Sequence, residues 1–179
     1  VYFLNYDLFK SLNWCELLKV EEDQTTCRRG AFMENVAGRE KSKRFLSDSD
    51  PHFPCSILEN RHKIDCYSYQ TSRMLEMGLS EEQIIDECKK AGEWRETCMQ
   101  SFGRDKSTYV RINGPAKVAK ICTSLETQSD RNACIKGVSY ALVDDSWSGK
   151  YAFPFCDSFK ENQDKNYCYK VSIERLSTW

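Results

Sequence analysis

The sequence predicts an all-α protein in which helical hairpins repeat along the chain as a solenoid and are stapled by five disulfides. Three observations favour this fold class. Ten cysteines form five couples with offsets of 12, 11, 10, 12 and 12 residues. The first members of the couples follow one another at 40, 33, 34 and 34 residues, so the sequence repeats itself. Helix start and stop signals fall between the couples, as expected for hairpins.

The couples admit two simple disulfide pairings. In the rival pairing, the second cysteine of each couple bonds to the first cysteine of the next, at offsets that vary from 22 to 28 residues and leave Cys15 and Cys168 unpaired. In the short pairing, each couple closes on itself across a turn at nearly constant spacing. The regular spacing favours the short pairing, which predicts the disulfides Cys15–Cys27, Cys55–Cys66, Cys88–Cys98, Cys122–Cys134 and Cys156–Cys168.

We expect one α-repeat domain over residues 1–179. Its hairpins are predicted at about 27–55, 66–88, 98–122 and 134–156, with flanking helices at 6–15 and 164–177. The first hairpin is the longest, because it includes a charged segment from Arg39 to Arg44 and a turn that ends at Pro51.

The later hairpins carry clear local signals. In the second, Gly78 is a C-terminal stop, and Ser80 with Gln83 forms a capping box that predicts a helix over 81–90. In the third, Pro115 follows Asn-Gly and suits the first position of a helix. In the fourth, Pro154 predicts a short or kinked helix.

A helix–turn–helix unit of 33 to 34 residues resembles the tetratricopeptide-type repeats, and the cysteine couple in each unit resembles the disulfide-bearing Sel1-like repeats, which are extracellular helical-hairpin arrays. The resemblance covers most of residues 6–176 at the level of the period. The Trp, Gly, Tyr and Ala signature of the first class and the glycine-rich turn of the second are not met. The resemblance therefore implies only an architecture, and we assign no functional residue from these repeat classes to this chain.

Composition and cysteine usage restrict the compartment and the partners. Disulfides on this scale are typical of an oxidising environment, so we expect an extracytoplasmic protein, whether periplasmic, cell-surface or secreted. The chain is then expected to be a mature form after signal cleavage or the exported part of a longer product. The apolar stretches are too short to cross a bilayer. If the protein is associated with a membrane, we expect it to be attached to a membrane complex. With a net charge of -1, the chain has no overall positive potential that would attract nucleic acid.

Few residues are candidates for metal binding or catalysis. The set His52, Cys55, His62 and Cys66 resembles a zinc-ligand set, but its cysteines occupy the same positions as four couples that lack histidine, which favours a disulfide. Every cysteine has a counterpart, which disfavours a thiolate nucleophile. The sequence therefore predicts no catalytic residue, metal or cofactor, and an enzyme is the less favoured class.

Binding is the favoured function. The residues that follow the second cysteine of each couple recur at the repeat spacing and predict a strip along one face: Met33, Glu34, Gln70, Arg73, Phe102, Arg104 and Tyr140. We expect a scaffold or an accessory subunit of a larger assembly, which holds another protein or a peptide. The alternative is a secreted small-ligand carrier or enzyme that uses a polar groove near Glu34, Gln70 and Arg73.

Overall fold

A computed structural model describes residues 4–178. This part of the chain is helical and contains no strand. Its α-helices are α1 (Leu8–Cys15), α2 (Glu21–Ala37), α3 (Asn60–Glu76), α4 (Glu81–Lys90), α5 (Arg95–Asn113), α6 (Pro115–Thr123), α7 (Gln128–Ser146), α8 (Ala152–Asp157) and α9 (Asn162–Leu176). The chain forms two compact units. Unit 1 ends at Trp94, and unit 2 begins at Arg95.

Unit 1 is built around α2, which packs on both α1 and α3. Its core includes Leu8 and Leu12 of α1, Phe32 of α2 and Met74 of α3. Between α2 and α3 the chain returns through two 3-10 turns, Lys41–Lys43 and Cys55–Ile57, instead of an α-helix. Prolines and short polar residues are dense between these turns and do not support helix, so the predicted hairpin over 27–55 has only one helical arm.

Unit 2 is organised around α7, which packs closely against α5 and also against α9. The short helices α6 and α8 lie beside it. The core contains side chains from each of these helices: Met99, Phe102, Val118, Ile135, Leu142, Phe155 and Val171.

The cysteines adopt the short pairing, and the rival pairing is excluded. Cys15 bonds to Cys27, Cys55 to Cys66, Cys122 to Cys134 and Cys156 to Cys168, with Cα–Cα distances of 5.3 to 5.6 Å. Cys88 and Cys98 are also disulfide-bonded, and no described cysteine is free. The five predicted disulfides are therefore confirmed. Each one fixes the turn that leads into a long helix, where it restricts the unfolded chain locally.

The local helix signals are confirmed as well. Ser80 and Gln83 form both hydrogen bonds of the capping box, and α4 spans the predicted residues. Gly78 has a φ of 83°, as a helix stop requires. Pro115 is the first residue of α6, and α8, which contains Pro154, is only 6 residues long.

Polar contacts link neighbouring long helices within each unit at nearly the same sequence separation. In unit 1, Arg28 donates to Asp65, which lies 37 residues later. In unit 2, Arg95 donates to Asp130 at a separation of 35, and Gln128 donates to Asp164 at a separation of 36. These acceptors are all buried, so each contact stabilises the packing of one long helix on the next.

Candidate binding surfaces

The structure separates the predicted strip into exposed and buried members. Met33 is 49% exposed, whereas Gln70, Arg73 and Phe102 are buried. Glu34, Arg104 and Tyr140 are partly exposed. Gln70, Arg73 and Phe102 therefore offer little side-chain surface to a partner.

Gln70 binds the segment between α2 and α3, which contains no α-helix and is called the non-helical segment below. Its side-chain amide donates to the carbonyl oxygens of Pro51 and Phe53 at 2.8 and 2.9 Å. Both carbonyls belong to a loop that has no helix of its own to satisfy them, so a buried amide replaces the missing backbone partner. The role of Gln70 is therefore structural.

Phe102 and Arg104 lie on α5 of unit 2. The ring of Phe102 is fully buried, because this position of the helix faces the core. Arg104 pairs with its neighbour Asp105 at 2.6 Å. The Phe102 ring is therefore inaccessible to a partner, whereas part of the Arg104 side chain is exposed.

Tyr140 belongs to a polar cluster on α7 and α9. Burial, followed by the negative charge of Glu174, raises the pKa of its hydroxyl. The guanidinium of Arg175 lies 5.4 Å from the Tyr140 ring centre and donates to Asp144 at 2.7 Å. The cluster stabilises the α7–α9 packing and leaves part of the tyrosine accessible.

The four residues of the metal alternative do not provide a ligand set. Cys55 and Cys66 bond to each other, so neither offers a thiolate. His52 contacts the hydroxyl of Tyr67 at 3.1 Å and the carboxylate of Glu87 at 3.0 Å. Within residues 4–178, no group of three or more His, Cys, Asp or Glu side chains is placed to hold a metal ion.

An exposed apolar surface, which the sequence analysis did not identify, lies at the turn closed by Cys15–Cys27. Leu17 is 72% exposed and Trp14 is 58% exposed. Leu18 and Val20, in the same turn, are also exposed. The signal in the sequence was Val20, five residues after Cys15, where the four later couples carry polar groups: Asn60, Glu93, Thr127 and Glu161.

The next turn also exposes an apolar side chain. Ile57 follows Cys55 by two residues, as Leu17 follows Cys15, and it is 58% exposed. Glu16 of the first turn lies near the end of the second, because its carboxylate is 3.6 Å from Arg61 at the start of α3. The same position after Cys88, Cys122 and Cys156 holds Lys90, Ser124 and Ser158. We call the exposed residues Trp14, Leu17, Leu18, Val20 and Ile57 the apolar turn surface.

Polar contacts tie the first turn to the helices beside it. The side-chain amide of Gln24 donates to the carbonyl oxygen of Leu18 at 2.8 Å. The guanidinium of Arg28 donates to Glu16 at 3.2 Å, to Glu21 at 3.1 Å and to Asp65 at 2.8 Å. Burial opposes the charge of Arg28, but these carboxylates outweigh burial and raise its pKa. The apolar side chains are therefore presented by a turn that is fixed on both sides.

Unit 1 also has an open depression beneath the non-helical segment. Its volume is about 540 Å³, and it is lined by Lys41, Ser42, Arg44, Leu46, Asp48, Arg73 and Glu76. Glu76 accepts hydrogen bonds from Arg44 at 2.8 and 2.9 Å and from Arg73 at 2.9 Å. Lys41 pairs with the same carboxylate at 2.9 Å. Arg73 is thus the one member of the predicted polar groove that borders this depression, whereas Glu34 and Gln70 do not line it.

Comparison with protein-family models, with curated proteins and with solved structures gives no match. The resemblance to helical-hairpin repeat classes therefore depends on the period and the cysteine couples. Among the described helices, none is long and apolar enough to cross a membrane.

Proposed function

We propose that the protein is an extracytoplasmic scaffold, or an accessory subunit of a larger assembly, that holds another protein at the apolar turn surface. The observation that carries the proposal is the high exposure of Trp14 and Leu17 on one ordered turn. Exposed apolar groups of this size cost solubility unless a partner covers them, and clustered ones mark interaction sites. Tryptophan is also among the residues that most often dominate the binding energy of an interface.

The fixed conformation of the turn supports this role. Binding to a flexible loop loses affinity, because the loop must be ordered at the moment of contact. Here the Cys15–Cys27 disulfide and the contacts of Gln24 and Arg28 order the turn beforehand. A partner would therefore gain most of the burial energy of the apolar side chains.

The charges beside the surface favour a protein over a lipid bilayer. Glu21, Glu22 and Asp23 follow Val20 directly and form the first turn of α2. Three acidic side chains next to the apolar turn would be repelled by an anionic membrane. A protein partner can place complementary cations there.

The cysteines support the proposed compartment. All ten are bonded, and such proteins are characteristic of oxidising environments. Within each unit, we further propose that the long helices stack in the manner of a solenoid, because their buried polar contacts recur at separations of 35 to 37 residues.

The proposal is tested with the double variant Trp14→Glu/Leu17→Glu and the control Ile173→Glu. Ile173 is 56% exposed in unit 2 and lies outside the apolar turn surface. The immobilised proteins are incubated with extracytoplasmic fluid of the native source, and each captured species is quantified. We expect one species whose recovery falls about tenfold or more with the double variant, since a central anchor contributes about 1 to 3 kcal/mol. The Ile173→Glu protein should capture it as the wild type does.

The scaffold proposal fails if every captured species is recovered equally by the wild type and the double variant. It also fails if the wild type binds anionic or neutral lipid vesicles with the same dependence on Trp14 and Leu17, because the surface would then be a membrane contact. Circular dichroism of both variants shows whether the helices are retained.

The alternative function, a small-ligand carrier, is favoured by one observation, the depression that Arg73 borders. Its volume is within the range of small-molecule sites, although its lining is mostly charged.

A further inference from the structure

Two buried guanidinium groups converge in the depression of unit 1. The side chains of Arg44 and Arg73 are 6% and 8% exposed. The carboxylate that they share, Glu76, is three-quarters buried, and it also serves Lys41. The second acidic residue of the lining, Asp48, is fully exposed to solvent. The buried part of the lining therefore carries more positive than negative charge.

The hydrogen bonds of the two arginines leave donors unused. Arg44 donates through Nη2 to Glu76 and through Nη1 to the carbonyl oxygen of Val36. Arg73 donates through Nη1 to Glu76 and through Nη2 to Ser47 at 2.7 Å and Asp48 at 2.5 Å. In both side chains the buried Nε has no hydrogen-bond partner among the described residues. A buried charged donor without an acceptor is costly, so the arrangement is incomplete as it stands.

We propose that this depression binds a small oxyanion, a phosphate or carboxylate group, between Lys41 and the guanidinium groups of Arg44 and Arg73. Arginine suits such ligands, because its planar fork donates two parallel hydrogen bonds to their oxygens. Lys41 lies at the exposed edge, where it can contribute a mobile charge. The proposal is independent of the apolar turn surface, because the two sets of residues do not overlap.

The environment of Glu76 agrees with a strongly positive site. The hydrogen bond from Arg44, opposed by burial and assisted by Lys41 and Arg73, lowers the pKa of Glu76 to about 2. The carboxylate thus stays ionised and saturated with cations across the physiological range. An incoming anion would not displace it.

Asp48 is the group that an anion would replace. The Asp48 carboxylate is fully exposed, although its partner Arg73 is buried, so it returns to water without a desolvation penalty when the pair opens. An oxyanion that enters the depression can take the Arg73 Nη2 donor from Asp48 at small cost. Asp48 is then a competitor for the site, and its removal should improve binding.

This competition gives a test in which one variant gains affinity. Inorganic phosphate and acetate are titrated separately by calorimetry, at constant ionic strength set with chloride, into the wild type, Asp48→Asn, Lys41→Glu and Lys43→Glu. We expect Asp48→Asn to bind at least about threefold more tightly, and Lys41→Glu about tenfold more weakly. Lys43→Glu is the matched control: it changes the net charge equally but does not line the depression, so its affinity should stay within about twofold of the wild type.

Each titration result decides the proposal. Binding of phosphate or of acetate with the predicted order of variants supports it, and the anion that binds identifies the ligand group. The proposal is overturned if neither anion binds beyond the effect of chloride, if Asp48→Asn binds no better than the wild type, or if Lys43→Glu loses as much affinity as Lys41→Glu. Loss of partner capture with unchanged anion binding would concern the scaffold function alone.

Discussion

Gly103 of α5 and Gly137 of α7 face each other's helix at a close contact between the two backbones. A Cβ atom added at Gly137 would overlap the carbonyl oxygen of Gln100 and lie 2.8 Å from the amide nitrogen of Arg104. A Cβ atom added at Gly103 would overlap the carbonyl oxygen of Cys134 and lie 3.0 Å from its Cα. Both obstacles are main-chain atoms of a helix, which cannot rotate away. The two glycines therefore set how closely α5 and α7 approach.

Gly137→Ala should lower the free energy of unfolding by about 2 kcal/mol or more, because the helices must separate to admit the methyl group. Gly30→Ala is the matched control. Gly30 also follows the second cysteine of a couple by three residues, but a Cβ atom there meets nothing within 4 Å. Its substitution should raise the stability by about 0.5 to 1 kcal/mol through helix propensity. Equal effects of the two substitutions in urea unfolding would refute the close contact.

The buried carboxylate of Asp65 provides a second test of helix packing. It accepts from the Nε atoms of Arg28 at 2.8 Å and Arg29 at 3.1 Å, and it has no exposed surface. Asp65→Asn should cost about 3 kcal/mol of stability, because it removes the fully buried partner of Arg28 and leaves only the more exposed carboxylates of Glu16 and Glu21. Arg29→Gln should cost less than about 1 kcal/mol, since the Arg29 side chain is half exposed. A urea denaturation series that finds similar losses for both would contradict the assignment of Arg28 as the buried partner.

Acid should destabilise unit 1 through Glu76. The unfolded carboxyl has a pKa of 4.5, and hydrogen bonds from Arg44 and then from Lys41 and Arg73 lower the pKa to about 2 in the folded protein. The resulting stability is fully present above about pH 4.5 and is lost as the pH falls towards 2. Glu76→Gln should therefore be less stable at neutral pH and show a smaller loss between pH 4.5 and 2. Urea midpoints measured across this range test the slope, with the exposed Glu22→Gln as a control that should follow the wild type.

Loss of one disulfide should act mainly within its own unit. Cys122 and Cys134 close a turn of unit 2 with a separation of 12 residues, so the pair restricts the unfolded chain locally. In Cys122→Ser/Cys134→Ser, amide exchange should accelerate in α6 and α7, while α2 and α3 of unit 1 keep their protection. Equal acceleration in both units would mean that the protein opens as one cooperative body.

The sequence was sufficient for features that depend on local chemistry. The constant offset of the cysteine couples predicted the pairing, because a short loop closes a disulfide wherever it lies in the fold. Ser80, Gln83 and Pro115 predicted helix starts, because capping involves only neighbouring residues.

The sequence was insufficient where a distant segment decides the environment. Gln70 and Arg73 are polar and helical, which favours exposure, but the loop between α2 and α3 covers them and uses their donors. The closeness of Gly103 and Gly137 could not be predicted without knowing that α5 meets α7. Residues of the types of Trp14 and Leu17 are often buried, so their exposure becomes evident only from the position of the turn in the fold.

The central claim, that the apolar turn surface holds a protein partner, is tested most directly by site-specific photocrosslinking. A photoreactive phenylalanine analogue is placed at position 17 or, as a control, at position 173, and the protein is irradiated in the extracytoplasmic fluid of its native source. We expect position 17 to give one defined protein adduct that Trp14→Glu abolishes, and position 173 to give no adduct of that mass. Adducts that are the same at both positions, or that persist with Trp14→Glu, would contradict the claim.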